Sequence, residues 1–588
     1  MLKLLRYLRK RDYGFALIVV GFIVMQVWLD LLMPDYTAKL TQEIAGGAPA
    51  MAAIWRNGGF MLLCAFGSVA SSIICSFFVA QIATGFVTTL RNVMFDKVIT
   101  FSDKEIGYFT TPSLITRTTN DIVQIRMLIV MGLQVFLKAP VLAIWAICKM
   151  SASSVEWTLA TAIAVAVIAV MVIILVSLCF PKFREIQKLT DNLNDVTREN
   201  ISGVRVVRAF NAEAYQEQKF EKVNEKVVKN HLFTARTMGL MMPVMTLCMS
   251  GLTLALFWIA AIMMNNVTGT PEATVMERVE ILGNLTAFTQ YAMQVVMAFM
   301  SLIMVFIMLP RGLVSAKRIN AVLDTDPVIK DGNGAPNGEN EADTKIEFRG
   351  VSFNYPDDQA QTLSDISFTV DKGQTVAFIG ATGSGKSTIV KLLERNYDAI
   401  QGEIFIDGVD VREYKENDLH DKISLASQKA VLFKGDIRSN VAYGAQEIDE
   451  ERLKNALEIA RADEFVYSLE KGVESEVAQG GTNFSGGQKQ RLSIARAIYK
   501  NADIMIFDDT FSALDYKTDS LVRGAIKEKC SGATVIIIAQ RIGTIMNADK
   551  IIVLDEGRIV GEGKHKELLE TCPVYKDIAL SQLKKEEL

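Results

Sequence analysis

Gly380-Ala381-Thr382-Gly383-Ser384-Gly385-Lys386-Ser387-Thr388 is the stretch that decides how the second half of this chain folds. Its spacing is Gly-x4-Gly-Lys-Ser. Glycines at those places let successive backbone N–H groups turn inward at a helix start, where they cradle phosphates. The context fits. Thr375-Val-Ala-Phe-Ile379 reads as a buried strand before the loop, and residues 389–393 read as the helix after it. The segment from Gly380 to Thr388, with Thr382, Gly383, Ser384 and Gly385 between them, is therefore expected to hold the phosphates of ATP. Lys386 would neutralise the β- and γ-phosphates, and the Ser387 hydroxyl would ligate Mg²⁺. A second apolar strand, Ile504-Met-Ile-Phe-Asp508, ends in a carboxylate suited to the metal side of such a site. A third, Val535-Ile-Ile-Ile538, stops two residues before Gln540.

With 588 residues the chain is too long for one domain. Its composition is uneven. The part up to about residue 310 is rich in Leu, Ile, Val, Ala, Met and Phe. The remainder has the charge density of a soluble α/β domain. The net charge of −4 averages the two parts and gives no reason to expect a nucleic-acid partner. Residues 324–344 carry Pro, Gly, Asn and acidic side chains with almost no apolar ones, and read as a flexible connector. The expected division is 1–323, 324–344 and 345–588. Seven cysteines are scattered without the spacing of a metal site or a disulfide framework, and read as small buried hydrophobes.

Six apolar stretches are long enough to cross a hydrocarbon core of about 30 Å, which takes roughly 20 helical residues. They fall near 15–33, 60–83, 128–150, 159–180, 238–264 and 282–309. The basic, amphipathic start, residues 1–11, reads as an interfacial helix leading into the first of them. Connections near 33–56, 150–156 and 265–279 are short and poor in Lys and Arg. Those near 91–126 and 182–236 are long and basic. The positive-inside rule then puts the N-terminus, both long connections and the C-terminal half in the cytoplasm. The long connections read as helices extending the spans, with tips in 109–121 and 200–215. Polar groups inside spans are expensive and mark a cavity or gate. The candidates are Gln26, Asp30, Gln134, Lys138, Gln290 and Gln294. The rival readings are that Lys138 snorkels or lies in the cytoplasmic extension, and that Asp30, near the outer end of its span, is solvated at the interface.

Asn483-Phe484-Ser485-Gly486-Gly487-Gln488-Lys-Gln-Arg491 resembles the signature motif of ATP-binding cassette proteins, with Phe484 where Leu is usual. Around it stand residues similar to the family's other marks. Tyr355 matches the aromatic that stacks on adenine. Gln428 matches the glutamine at the Mg²⁺ side. Ser512-Ala-Leu-Asp515 matches a dimer-contact loop. The apolar half resembles the family's exporters, so the likeness covers nearly the whole chain. It implies a fold of six α-helical spans fused to a cytoplasmic α/β P-loop ATPase domain. It also implies dimers of twelve spans. There two ATPs are sandwiched between the phosphate loop of one cassette and the signature of the other, Phe484 to Gln488 serving the partner's site.

Two departures sharpen the likeness. Asp509 stands where the family has a Glu that polarises the attacking water, and Gln540 where it has a His facing the γ-phosphate. Asp is one methylene shorter, and a carboxylate misplaced by more than about 1 Å can cost on the order of 100-fold in rate. Gln540 can hydrogen-bond a phosphate but carries no charge. Both changes resemble the degenerate subunit of bacterial heterodimeric multidrug exporters. A third departure is Val477-Ala478-Gln479-Gly480, where a Glu-Arg pair is usual. The expectation is a subunit in a bacterial plasma membrane, exporting a small amphipathic or drug-like molecule. Its partner would be a second half-transporter with Glu and His intact. A homodimeric slow exporter of a lipid or peptide, or an ATP-gated channel or sensor subunit, are the rival readings.

Overall fold

The structure is a computed structural model that describes residues 2–46, 50–334, 344–356 and 361–583. It divides into two compact units, residues 1–97 with 114–324 and residues 98–113 with 325–588.

The first unit is helical. Six helices are long and apolar enough to cross a membrane: Lys10–Ala45, Met51–Ile99, Thr111–Ser151, Val155–Ser202, Glu213–Asn266 and Glu272–Leu323. Each contains one apolar stretch read from the sequence. A helix of 48 or more residues is about 70 Å long at 1.5 Å per residue, well over twice the hydrocarbon thickness. The long basic connections are thus continuations of the span helices, as their charge suggested. The first tip lies earlier than 109–121. The chain turns at Ser102, a short helix runs over Asp103–Phe109, and Thr110 adopts φ +63°. Pro112 is then an early residue of the next helix, where its missing N–H costs nothing. The second tip matches its reading, with a short helix over Val204–Ala209. The basic start is a 3₁₀ segment, Leu2–Tyr7, rather than an α-helix. Cys64, Cys75, Cys179 and Cys572 are buried, Cys248 and Cys530 are half-buried, and Cys148 is exposed, which corrects the uniform burial expected of them.

Spans pack closely where glycine removes a side chain. A Cβ added at Gly283 on the sixth span would sit 2.8 Å from the carbonyl oxygen of Ala38 on the first. One at Gly312 would sit 2.7 Å from Leu128 Cδ2 on the third.

The second unit is α/β. Its larger sheet has the order Arg558–Gly563, Lys550–Asp555, Thr375–Gly380, Thr534–Ile538, Ile504–Asp508, Ile423–Ala426. All neighbours in it are parallel except the edge pair Arg558–Gly563 with Lys550–Asp555. Strands buried on both faces need apolar side chains throughout, which explains the unbroken runs at 376–379, 504–507 and 535–538. Ala377 and Ile379 enter one core, and Val376 and Phe378 the other. A four-stranded antiparallel sheet begins with Thr344–Phe353 paired to Leu363–Asp371. Register fixes the site. Ile538 lies opposite Phe378 on one side and Asp508 on the other. The phosphate loop, Asp508 and the Gln540 loop therefore all emerge at the carboxyl end of adjacent strands, where open α/β sheets bind ligands.

Gly283→Val should force the first and sixth spans apart. Overpacking of this kind costs about 1–3 kcal/mol. The expected result is a melting temperature lowered by a few degrees in detergent. Gly251→Val, where a Cβ meets nothing within 4 Å, should leave it within a degree or so.

Candidate nucleotide site

The loop after Thr375–Gly380 has no room for side chains at its ends. A Cβ on Gly380 would collide with the Leu554 carbonyl oxygen. Gly385 holds φ +94°, and a Cβ there would lie 2.5 Å from Leu363 Cδ2. Gly383 holds φ +87° with nothing within 4 Å, so its backbone needs glycine while its surroundings stay open. Lys386 and Ser384 are buried. Lys386 Nζ donates to the carbonyls of Gly380 at 2.9 Å and Ala381 at 2.7 Å, and to Ser384 Oγ at 3.3 Å. Burial pushes the ammonium's pKa down, and the Asp509 and Asp508 carboxylates push it back up.

Ser387 Oγ donates to Asp508 Oδ1 at 3.1 Å, so a hydroxyl and a carboxylate converge beside the loop. Burial raises the pKa of Asp508, against the Ser387 hydrogen bond that lowers it. Bringing in a divalent cation would offset that burial. Among the described residues no group of three or more His, Cys, Asp or Glu could hold a metal by itself. Two protein oxygens completed by phosphates and water are what Mg²⁺ usually takes. The residues therefore fit Mg²⁺ carried in with a nucleotide.

Asp509 follows in the left-handed region, at φ 48° and ψ 25°. Its Oδ2 accepts from Gln540 Nε2 at 3.1 Å and, more weakly, from Gln428 Nε2 at 3.4 Å. Burial raises its pKa, with the Gln428 and Ser512 hydrogen bonds acting the other way. The Ser512 hydroxyl donates to the Asp509 carbonyl at 2.7 Å. Two neutral amides thus hold the short carboxylate. The Gln540 loop is itself gripped from the C-terminal helix Pro573–Gln582. Gln582 Nε2 donates to Gln540 O at 2.8 Å, and its Oε1 accepts from Ile542 N at 2.8 Å. Gln582 is 42 residues from Gln540, and no local pattern marks it.

Tyr355 is part of an aromatic group. Its ring stands edge-on to Phe353 at 5.1 Å and to Tyr397 at 5.4 Å, and its hydroxyl is 3.1 Å from Thr388 Oγ1. Lys391 Nζ lies 5.6 Å from the Tyr355 ring centre and 3.1 Å from Asp103 Oδ2, on the short helix Asp103–Phe109. Sequence reading missed Tyr397, Lys391 and Asp103. Lys391 shares a helix with Lys386, which was the available hint.

Ser485 caps the helix Gly486–Lys500. Its hydroxyl accepts from Gln488 N at 3.3 Å, and Gln488 Oε1 accepts from Ser485 N at 3.0 Å. Phe484 packs on the core beside Phe465, ring centres 6.3 Å apart, which accounts for an aromatic in place of Leu. A Cβ on Gly487 would approach the Ala513 carbonyl at 3.3 Å, whereas one on Gly486 meets nothing within 4 Å. Asp515 caps the helix Tyr516–Lys529 through Thr518 N at 3.0 Å. Among the described residues no side-chain hydrogen bond joins Ser485–Gln488 to the Gly380–Thr388 loop.

Within the spans, Asp30 pairs with Lys138 at 3.2 Å and accepts from Ser68 Oγ at 2.5 Å. Gln294 Nε2 donates to the Asp30 carbonyl at 3.3 Å, and Gln134 Nε2 to Ser76 Oγ at 3.2 Å. Among the described residues no hydrogen bond joins Gln26 or Gln290 to this group. Sequence reading missed a second pair, Asp35 with Lys149, to which the Tyr291 hydroxyl is also bonded.

Residues 14–299 match the family description "ABC transporter transmembrane region", and residues 363–512 match "ABC transporter". An uncharacterized ABC transporter ATP-binding protein of Mycobacterium tuberculosis is 36% identical over 593 residues, spanning 98% of each chain. An ATP-dependent lipid A-core flippase of Chromohalobacter salexigens is 29% identical over 595 residues, spanning 100% of this chain and 98% of that one. The structure of a bacterial Atm1-family ABC exporter with ATP bound covers 97% of this chain and 98% of its own. Its TM-score is 0.78 at 24% identity, a likeness of fold. Six spans ahead of a P-loop domain, matched along nearly their whole length, make this chain a member of the ABC transporter family, a multi-pass membrane exporter subunit with a cytoplasmic, ATP-binding domain.

Proposed function

We propose that this chain is the slow half of a heterodimeric exporter in a bacterial plasma membrane, moving a small amphipathic or drug-like molecule. Residues 1–323 form the membrane part, 324–344 the connector and 345–588 the cassette; of the connector, 335–343 lie outside the described residues. Lys386, Ser387 and Asp508 hold Mg²⁺·ATP, and Tyr355 stacks on adenine. Ser485, Gly486 and Gly487 complete the partner's site. One observation carries the asymmetric reading. The carboxylate at the catalytic place is an Asp, and its Oδ2 is tied to Gln540 and Gln428. It is too short and too occupied to polarise a water well, and neither amide can supply positive charge to the γ-phosphate. The open space beside Gly486 supports the signature's role. Nothing among the described residues requires that glycine to lack a side chain, whereas an approaching nucleotide would. The Lys391–Asp103 pair supports transmission from the nucleotide side to the first cytoplasmic tip.

A homodimeric exporter of a lipid is the second reading. The likeness to a protein named an ATP-dependent lipid A-core flippase favours it.

The purified chain alone should bind ATP and turn it over at least tenfold more slowly than a complex with its partner. Equal steady-state rates would support the homodimer instead. Lys386→Ala should abolish long-lived bound ATP while partner-site turnover falls only in part. A single-turnover trap with labelled nucleotide reads this, and rapid conversion to ADP at both sites would refute the asymmetry.

Gly486→Asp should nearly abolish ATPase and transport in the complex. Losing a preorganised phosphate contact costs about 3 kcal/mol, on the order of a hundredfold in rate. Asp509→Asn should leave much of both activities. With the partner unchanged, greater damage from Asp509→Asn would make this chain's own site the hydrolytic one.

A further inference from the structure

Two ion pairs join the first and third spans, one within their apolar stretches and one at the ends of those stretches, where isolated charges are costly. Lys138 on the third span meets Asp30 on the first at 3.2 Å. Lys149 on the third span meets Asp35 on the first. Five residues separate the two carboxylates along one helix, a rise of about 7.5 Å. The sixth span runs antiparallel beside them and contributes to both levels. Gln294 Nε2 donates to the Asp30 carbonyl, and the Tyr291 hydroxyl donates to Asp35 and reaches the Leu31 carbonyl at 3.1 Å.

Three features set this ladder apart from helix glue. Its charged side chains are not sealed. Lys138 retains 31% of its exposure, Asp30 19%, Lys149 30% and Asp35 38%. The third span is irregular just below Lys138. Gly132–Phe136 is a π-helical turn, and Pro140 lacks the N–H that would pair with the Phe136 carbonyl. Such turns occur frequently at functional sites. Gln294 Oε1 is buried with no hydrogen-bond partner among the described residues. The polar group around the pairs is thus left incompletely satisfied, while the charged side chains themselves stay reachable.

We propose that this ladder binds the headgroup of a zwitterionic amphiphile, one that carries an ammonium and a phosphate or carboxylate on an apolar tail. The argument is electroneutrality in a medium of low dielectric. Each rung holds one cation and one anion. An anionic headgroup that takes the lysine strands the aspartate, and a cationic one that takes the aspartate strands the lysine. Leaving one member of such a pair unpaired is far more damaging than exchanging both together. A zwitterion exchanges both: its anion meets the lysine and its ammonium meets the aspartate. The apolar flanks of the same spans take the tail. This assignment rests on the exporter reading and names the substrate class for it.

The test is equilibrium binding of three radiolabelled probes with one alkyl chain length: an alkylphosphocholine, an alkyltrimethylammonium and an alkyl phosphate. The full-length chain is held in nanodiscs of uncharged glycolipid. The wild type should bind the phosphocholine at least tenfold more tightly than either singly charged probe. Asp30→Asn should shift the preference to the alkyl phosphate, and Lys138→Met to the ammonium. The exchange Asp30→Lys with Lys138→Asp should restore the phosphocholine preference. Labelled ATP binding checks that each variant is folded, and the exchange variant serves if a single one is not. Equal binding of the three probes by the wild type overturns the assignment. So does an unchanged rank order in both single variants. Probe selectivity as stated, but without ATP-driven movement of the phosphocholine in any assembly of this chain, would sink the exporter reading and leave the binding site standing.

Discussion

The registered parallel pairing of three apolar strands is the constraint on which the cassette depends. Thr375–Gly380, Thr534–Ile538 and Ile504–Asp508 are buried on both faces, so slipping one against its neighbour would carry polar ends into the core. Their shared register brings the phosphate loop, Asp508 and the Gln540 loop to one edge. Glycine at 380 and 385 lets the loop pass close to Leu554 and Leu363. The price of gathering these groups is burial, which moves Lys386, Asp508 and Asp509 away from their charged forms. A metal–nucleotide complex would reverse that bias by supplying both signs of charge.

The same constraint acts on the membrane spans. There, too, opposite charges are set close together in a medium that punishes each alone. In the cassette the missing counter-charges would come from Mg²⁺ and phosphate. In the spans Asp30 and Lys138, and Asp35 and Lys149, satisfy one another.

Much of this was legible in the sequence, for physical reasons. A span needs roughly 20 apolar residues, so all six announced themselves. A phosphate loop needs its glycines at fixed spacing, and a doubly buried strand needs an unbroken apolar run. What stayed hidden depends on partners distant in sequence. Lys138 alone looks like a snorkelling lysine; only the fold brings Asp30 to it. Asp35 and Lys149 lie at span ends, where polar residues are ordinary, and Tyr291 sits inside an apolar run where an aromatic draws no notice. Gln582 grips the Gln540 loop from a helix that no motif marks. The first tip was read too late: the chain turns at Ser102, and by Thr111 the next helix has begun. Asp509 and Gln540 were visible as departures, but their hydrogen bond to each other was not.

On the proposed reading, the short, amide-bound carboxylate of Asp509 keeps this site slow. Single-turnover cleavage of ATP labelled at the γ-phosphate, by the purified chain and by its Asp509→Glu variant, tests it most directly. Adding one methylene should carry the carboxylate past the Gln540 amide to the water, and the cleavage rate should rise at least tenfold. A wild-type rate already as fast as that of the Glu variant would contradict the account.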